Sequence, residues 1–482
     1  MSQPEPLPSR NKSSTPNLNA VTTIRSDGSR PFLFPADAPG RFNTARIWVS
    51  IALISIYIIL PWIKIGGFPA IFLDLAKRRF HLFGFTLAAQ DMWLMFFLIT
   101  GLGFTLFFVT SMLGRIWCGW ACPHSVFLDQ VYRRIERWID GDSFKRRKLD
   151  AALWDANKIG RRVLKHSLYL IVSAAIAHFF LAYFISIPEL WRVMHDSPLQ
   201  NWSMFAFMMI STGILYFNFA WFREQLCIVI CPYGRLQSVL IDDNTLVIGY
   251  DAHRGEPRGK LGTENAGACV DCQRCVQVCP TGIDIRQGLQ LECIGCSACI
   301  DACDDVMDRI KKPRGLIRYD SMAQLAGSKT RWLRPRTIIY GILLCIGISV
   351  TLINFSRIQP ANFAITRMVG TPYVVEPDQV RNMFMVRLVN KQSQAAMLRV
   401  ELAGAGDVTQ DGLEQSIEVP AMTELVRVLV VTQKRSVYKG TFNFELVMKD
   451  QAGSFEIRRK TQFLGPAARL LQEDDLEKGI KR

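Results

Sequence analysis

Residues 269–280 read CVDCQRCVQVCP, and residues 293–303 read CIGCSACIDAC. Both have the spacing C-x2-C-x2-C-x3-C, the first followed by Pro280 and the second by Asp304. Cysteines two or three residues apart suit a metal site better than a set of disulfides. A cubane iron–sulfur cluster wants four thiolates: a tight loop of three cysteines supplies three, and the fourth comes from the other motif when two clusters share a chain. Carried over, that pattern assigns one [4Fe–4S] cluster to Cys269, Cys272, Cys275 and Cys303, and a second to Cys293, Cys296, Cys299 and Cys279. Zinc is the competing reading, because C-x2-C pairs also bind it tetrahedrally. Two tandem sets of four, with Pro280 after the first, favour iron–sulfur. Val270, Val276 and Ile294 fit small apolar residues that shield a cluster from water.

Outward from this module the chain turns apolar. Of 482 residues 49% are hydrophobic, and the mean hydropathy is +0.14. Uncharged runs at about 47–63, 92–114, 166–188, 202–222 and 337–356 are each near the ~20 residues that cross a bilayer. The formal charge of +15 then reads as basic loops of a membrane protein, not as a nucleic-acid surface. The 115–165 loop carries RRIERW, FKRRK and Arg161-Arg162, whereas 189–201 carries only Arg192. Positive-inside logic puts the N-terminus, 115–165 and 223–336 in the cytoplasm and everything after Arg357 in the periplasm. Lys77, Arg78 and Arg79 fall on the wrong side and are expected to lie along the interface within FLDLAKRRFHLFGF. The first forty residues hold no apolar run able to serve as a signal peptide core, and 1–44 is expected to be a disordered cytoplasmic tail.

A second cysteine set recurs at the ends of spans. RIWCGWACPH carries Cys118 and Cys122, and REQLCIVICPYGR carries Cys227 and Cys231; both are C-x3-C-P. Four residues apart on a helix, each pair would present its sulfurs on one face, and the proline should end helical geometry at the preceding cysteine. Two such pairs at one depth could converge into a four-sulfur site for Cu(I), zinc or iron–sulfur. The alternative is buried apolar cysteines, the reading given to Cys345. His124, next to Cys122-Pro123, is a candidate metal ligand. His166 and His178 do not form the paired axial set that a membrane haem needs. From about Tyr373, short alternating runs such as MFMVRLV, MLRVEL and FNFELVMK argue an all-β sandwich of six or seven strands without a cysteine. A charged helix is expected past Gly465.

The expected fold is therefore a multi-span α-helical membrane protein of about five helices, with an inserted cytoplasmic 2[4Fe–4S] ferredoxin-like module and a C-terminal periplasmic immunoglobulin-like β-sandwich. In residues, this is a tail at 1–44, a membrane domain at 45–257 with four helices and both C-x3-C-P motifs, and a ferredoxin-type domain at 258–312. A cytoplasmic linker at 313–336, the fifth helix at 337–356 and the sandwich at 357–482 complete it.

The ordered combination of RRFHLFGF with Gln90-Asp91, CGWACPH, CPYGR, CPTGIDIRQGLQLECIGCSACIDACD, KPRGLIRYD at 312–320 and the LVNKQ run resembles the CcoG/FixG/RdxA family. These are polyferredoxin accessory proteins of cytochrome cbb3 oxidase assembly, and the resemblance spans nearly the whole chain after the tail. It implies a cupric reductase of the bacterial inner membrane. Electrons would pass from an unidentified donor through two [4Fe–4S] clusters to Cys118, Cys122, Cys227 and Cys231, which reduce copper as the substrate ion for the oxidase's copper centre. Either pair could form a transient disulfide. The implied partners are the lipid bilayer, copper ions, and cbb3 oxidase subunits or copper chaperones. Two other classes stay open: a quinol dehydrogenase-type carrier feeding a periplasmic reductase, and a non-catalytic assembly scaffold.

Overall fold

The computed structural model describes residues 32–471 apart from 88–90, 92, 357–358, 393, 405, 414, 452 and 454. It divides into two compact units, Met1–Ile63 with Met95–Thr351, and Lys64–Leu94 with Leu352–Arg482.

Among the described residues five helices are long and apolar enough to span a membrane: Arg41–Ile59, Trp93–Leu113, Ala156–Leu181, Trp202–Phe222 and Pro335–Ser356. Between 0% and 22% of their most apolar windows is buried. Apolar helices of a soluble core would bury those faces; these turn them outward, as spans in lipid do. Two helices differ from expectation at both ends. The first helix begins at Arg41 and ends before Pro61. The third begins ten residues early, at Ala156, because Asp155 caps it by accepting the Lys158 amide at 2.7 Å. It ends at Leu181, short of a separate helix that carries Pro188 in its first turn.

The cysteine-rich module is wider than 258–312. Leu246–Tyr250 pairs antiparallel with Ile317–Ser321, so part of the expected linker is a strand that closes the module. Its core joins Ile248, Ile285, Ile300, Met307, Leu316 and Ile317. The tail needs correction as well. Residues 1–31 lie outside the described residues, but 32–40 pack on the module. There the Ala36 amide donates to the Gln277 carbonyl at 2.8 Å, and Ala38 is buried against Val278 and Ala302.

In the second unit, a sheet of Val408–Asp411, Glu424–Lys434, Gln379–Asn390 and Ala361–Arg367, with Val374–Val375 added, faces a sheet of Ile417–Val419, Ala396–Ala403, Phe442–Asp450 and Glu456–Phe463. All pairings are antiparallel, and alternating residues such as Phe384, Val386, Leu388, Leu398, Val400 and Leu446 fill one core. This is the expected immunoglobulin-like sandwich with nine strands, since two short ones are too brief to show as alternating runs. The charged helix expected past Gly465 falls mostly on 472–482, outside the described residues.

The FLDLAKRRFHLFGF stretch folds as strands. Ile71–Asp74, Arg79–Leu82 and Phe85–Leu87 form a three-stranded antiparallel sheet, with Lys77 and Arg78 in the turn. This sheet belongs to the same unit as the sandwich, where Arg79 donates to the Met422 carbonyl and Lys391 pairs with Asp91.

Candidate functional site

Each cysteine motif enters its short helix through a residue with left-handed backbone. Gln273 (φ 55°) precedes Arg274–Gln277, and Ser297 (φ 64°) precedes Ala298–Arg309. That reversal, just after the second cysteine of each set, folds three sulfurs into one loop.

The eight sulfurs sort into two small cavities of equal size, about 20 Å³ each. Cys269, Cys272, Cys275 and Cys303 line the first with Val270. Cys279, Cys293, Cys296 and Cys299 line the second with Ile294, which Cys275 also borders. This is the crossed grouping expected from the spacing. Four sulfurs ringing a cavity fit a cubane.

Burial pushes four of these thiols up, Cys275 and Cys296 to about 11 and Cys293 and Cys303 to about 12, so these four are neutral until a cation arrives. Cations are at hand: Arg115 and Arg46 act on Cys293 and Cys296, and Arg286 acts on Cys275.

The two C-x3-C-P motifs share one backbone device. The Cys122 amide donates to the Trp117 carbonyl at 2.9 Å, and the Cys231 amide to the Leu226 carbonyl at 2.8 Å. In each, the second cysteine is extended (ψ 124° and 111°) and its proline opens a new helix, Pro123–Phe127 or Pro232–Leu240. Neither pair therefore lies on one α-helical face, since the five-residue closure displaces the second sulfur. The motifs do converge. Cys118 Sγ lies 3.4 Å from Gln237 Oε1, and Cys227 is within electrostatic reach of Cys122, Cys118 and Cys231. Burial raises the Cys118 thiol and pushes Cys227 up to about 12.

This thiol site abuts the second cavity. A Cβ on Gly119 would stand 2.7 Å from the Ile294 carbonyl oxygen and 2.8 Å from Cys296 Cα and N. Only glycine lets the Cys118 loop sit on the Cys293–Cys296 loop. Cys118, Ile294 and Cys296 form one buried cluster, with Tyr233 against it. Tyr319 ties the same pieces together: its hydroxyl donates to the Gly295 carbonyl at 2.7 Å and receives Trp120 Nε1 at 3.1 Å. Arg46 Nε donates to the Gly119 carbonyl at 3.0 Å. Sequence reading missed Gly119, Tyr319 and Arg46, whose role depends on contacts across the chain; the glycine between paired cysteines was the one local signal.

His124 is not a metal ligand here. Its Nε2 lies 3.0 Å from the Arg223 carbonyl and its Nδ1 3.2 Å from Asn218 Nδ2, which uses both ring nitrogens. Burial takes its pKa down to about 4. It braces Arg223, whose left-handed backbone (φ 49°) turns the chain into the Cys227 motif. Behind it, Glu136 holds Arg223, Arg146 at 3.2 Å and the Tyr169 hydroxyl at 2.8 Å. Cys345 is exposed on the fifth helix, away from both sets.

Three family models match the chain: a 4Fe-4S binding domain over 93–142, a 4Fe-4S dicluster domain over 222–322, and the Ig-like fold at the C-terminus of FixG over 351–466. The chain is 37% identical to the protein RdxA of Cereibacter sphaeroides over 404 residues, covering 80% of this chain and 84% of that one. It is 34% identical to the nitrogen fixation protein FixG of Rhizobium meliloti over 478 residues, covering 87% and 90%. To the protein RdxB of Cereibacter sphaeroides it is 35% identical over 462 residues, covering 90% and 96%.

Proposed function

This chain belongs to the FixG/RdxA family, and from that premise we propose that it is a cupric reductase, delivering single electrons to copper at Cys118, Cys122, Cys227 and Cys231. It is a membrane iron–sulfur electron-transfer protein. The observation that supports the copper reading is the seat of Gly119 on Ile294 and Cys296, which sets the four-thiol site against one of the two cluster cavities.

When bound, the clusters supply one-electron storage between the membrane helices and the thiol site. The cysteines of the two cavities hold them, and the apolar walls of Ile248, Ile283 and Ile285 keep water away. At the thiol site, Cu(II) takes one electron and becomes Cu(I). Thiolates favour the soft product over Cu(II), which prefers nitrogen and oxygen. Thiols give up their protons to water as copper binds. On the positive-inside reading the C-x3-C-P motifs and the cysteine-rich module face the cytoplasm of a bacterial inner membrane, and the sandwich faces the periplasm. The recipients are cbb3 oxidase subunits or copper chaperones.

The test is anaerobic purification, dithionite reduction, removal of the excess dithionite by anaerobic desalting and then Cu(II) challenge, with Cu(I) trapped by bicinchoninate. Wild type reduces copper, and Cys118→Ala and Cys227→Ala do not; equal rates in all three would overturn the reading. A second reading comes from the 4Fe-4S binding model over 93–142, whose stretch contains Cys118 and Cys122 alone among the cysteines. The four C-x3-C-P thiols would then hold a third cluster. Iron content separates the two: about eight atoms per chain for copper chemistry at the thiols, about twelve for a third cubane.

A further inference from the structure

A cavity of about 270 Å³, open to solvent, shares Cys293 and Ile248 with the second cluster cavity. Cys293 is one of its walls, while Leu113, Ile116, Ile241, Val247 and Leu289 make it apolar. Arg115, Gln290 and Tyr319 supply its polar groups, and Arg115 Nε is buried without a hydrogen-bond partner. Its place is at the ends of spans. Leu113 is the last residue of the second apolar helix, and Arg334, just before the fifth, donates to the Ser111 carbonyl at 2.7 Å. Beside it the Pro232–Leu240 helix exposes Leu236 and Val239, and Leu291 of the lining is 65% exposed.

We propose that this cavity binds a membrane quinol and that its headgroup delivers electrons at Cys293. An apolar chamber of this size with a few convergent polar groups suits a flat, amphiphilic ligand. Its level at the helix ends admits a molecule that arrives through the lipid. The exposed Leu236, Val239 and Leu291 accept an isoprenoid chain, and Arg115 offers a donor to a ring oxygen. A lipid tail would fill the same walls, but a wall made by a cluster ligand gives a redox-active occupant a role that a lipid lacks.

The step balances. The quinol is oxidised to quinone and releases two electrons and two protons. The clusters that the two four-cysteine sites would hold would take one electron each, and the protons leave to water at the open mouth. Arg115 and Arg46, both acting on the Cys293–Cys296 loop, favour the added negative charge there. This inference rests on the iron–sulfur reading and is independent of copper, which the dithionite-driven assay measures separately.

The test uses anaerobically purified, cluster-loaded protein in phosphatidylcholine nanodiscs. Ubiquinone-1 binding is measured by calorimetry, and ubiquinol-1 reduction of the protein by bleaching of its visible absorbance. Ile241→Trp and Leu289→Trp fill the cavity, and Leu261→Trp, on an exposed site outside the lining, is the control. Each cavity variant should bind ubiquinone-1 at least about tenfold more weakly and slow quinol-driven bleaching in proportion, with iron content and dithionite reduction as in wild type. Wild type that fails to bind below millimolar ubiquinone-1, or cavity variants that bind as well as wild type, would overturn the proposal. If the tryptophans cost iron, a photoreactive azidoquinone on wild type decides. Label within 241–248 or 289–295 supports the site; label confined elsewhere refutes it.

Discussion

The carboxylate of Asp301 caps the first membrane helix at Asn43: its Oδ2 accepts the Asn43 amide at 2.7 Å while Oδ1 accepts that of Phe42 at 3.2 Å. Asp301 lies inside CIDAC, between Cys299 and Cys303, so a residue of the cysteine motif terminates a span more than 250 positions away. The helix begins after Gly40, which offers no side-chain cap. A Cβ on Gly40 would overlap Asp301 Cγ at 2.2 Å, so the close approach demands glycine. Unpaired amides at a helix start cost free energy, and an anion there also meets the positive end of the helix dipole.

Asp301→Ala should therefore destabilise the module by about 1–2 kcal/mol, with Asp301→Asn avoiding most of the loss because its amide oxygen caps nearly as well. Thermal unfolding of the cluster-loaded protein, followed by bleaching, checks this. An alanine variant as stable as wild type would show that the cap carries no free energy.

Gly119→Ala tests the seat between the thiol site and the second cavity. The added methyl meets backbone on every side, so the loops must separate by an ångström or so. Copper reduction driven by dithionite should then fall by on the order of a hundredfold, with iron at about eight atoms per chain. An unchanged rate with full iron would mean that electrons reach the thiols by another route.

What could be read from sequence and what could not divide on physical lines. Cysteine spacing is a local property of a ligand loop, so the sequence alone proposes both four-sulfur sets, crossing included, and the cavity linings are consistent with them. Span length and strand alternation are equally local, and all five helices and the sandwich followed from them. Contacts between distant residues leave no such trace: the Asp301 cap, the Tyr319 bridge and the strand at Ile317–Ser321 each depend on what the chain meets after folding. His124 shows the converse error. Its neighbour Cys122 suggested a shared metal, but the imidazole turns to the Arg223 carbonyl and Asn218 instead.

His124→Gln should leave copper stoichiometry unchanged, because the ring holds backbone and not metal. It should lower thermal stability by about 1–3 kcal/mol, the cost of leaving the Arg223 carbonyl unpaired. Loss of bound copper with unchanged stability would restore the histidine to the ligand set.

Glu136 predicts acid sensitivity. Burial alone would raise its pKa, but Arg223 and Lys165 outweigh that and hold it at about 2, below the ordinary 4.5. A carboxylate depressed in the folded state adds stability that is full above its unfolded value and is lost as pH falls through its folded one. Stability should thus decline between about pH 4.5 and 2, and Glu136→Gln should flatten that decline. The variant should also be about 3–5 kcal/mol less stable at neutral pH, since Arg223 and Arg146 would stay buried without their anion. A parallel pH profile for variant and wild type would refute the assignment.

The order of the two cluster sites gives the sharpest test, because crossed ligation makes neighbours in sequence belong to different cages. Cys279 follows Cys275 by four residues yet lines the cavity of Cys293, Cys296 and Cys299, while Cys303 lines that of Cys269, Cys272 and Cys275. Cys279→Ala and Cys303→Ala should each lower iron from about eight to about four atoms per chain. Their effects on copper should differ. Gly119 sits on the Cys296 loop, so losing the Cys279 cage removes the site next to the thiols. Losing the Cys303 cage leaves it in place. With dithionite, which can reduce either cage directly, Cys303→Ala should keep most copper reduction and Cys279→Ala should lose it. Equal loss in both variants would mean that the cages do not lie in series in that order.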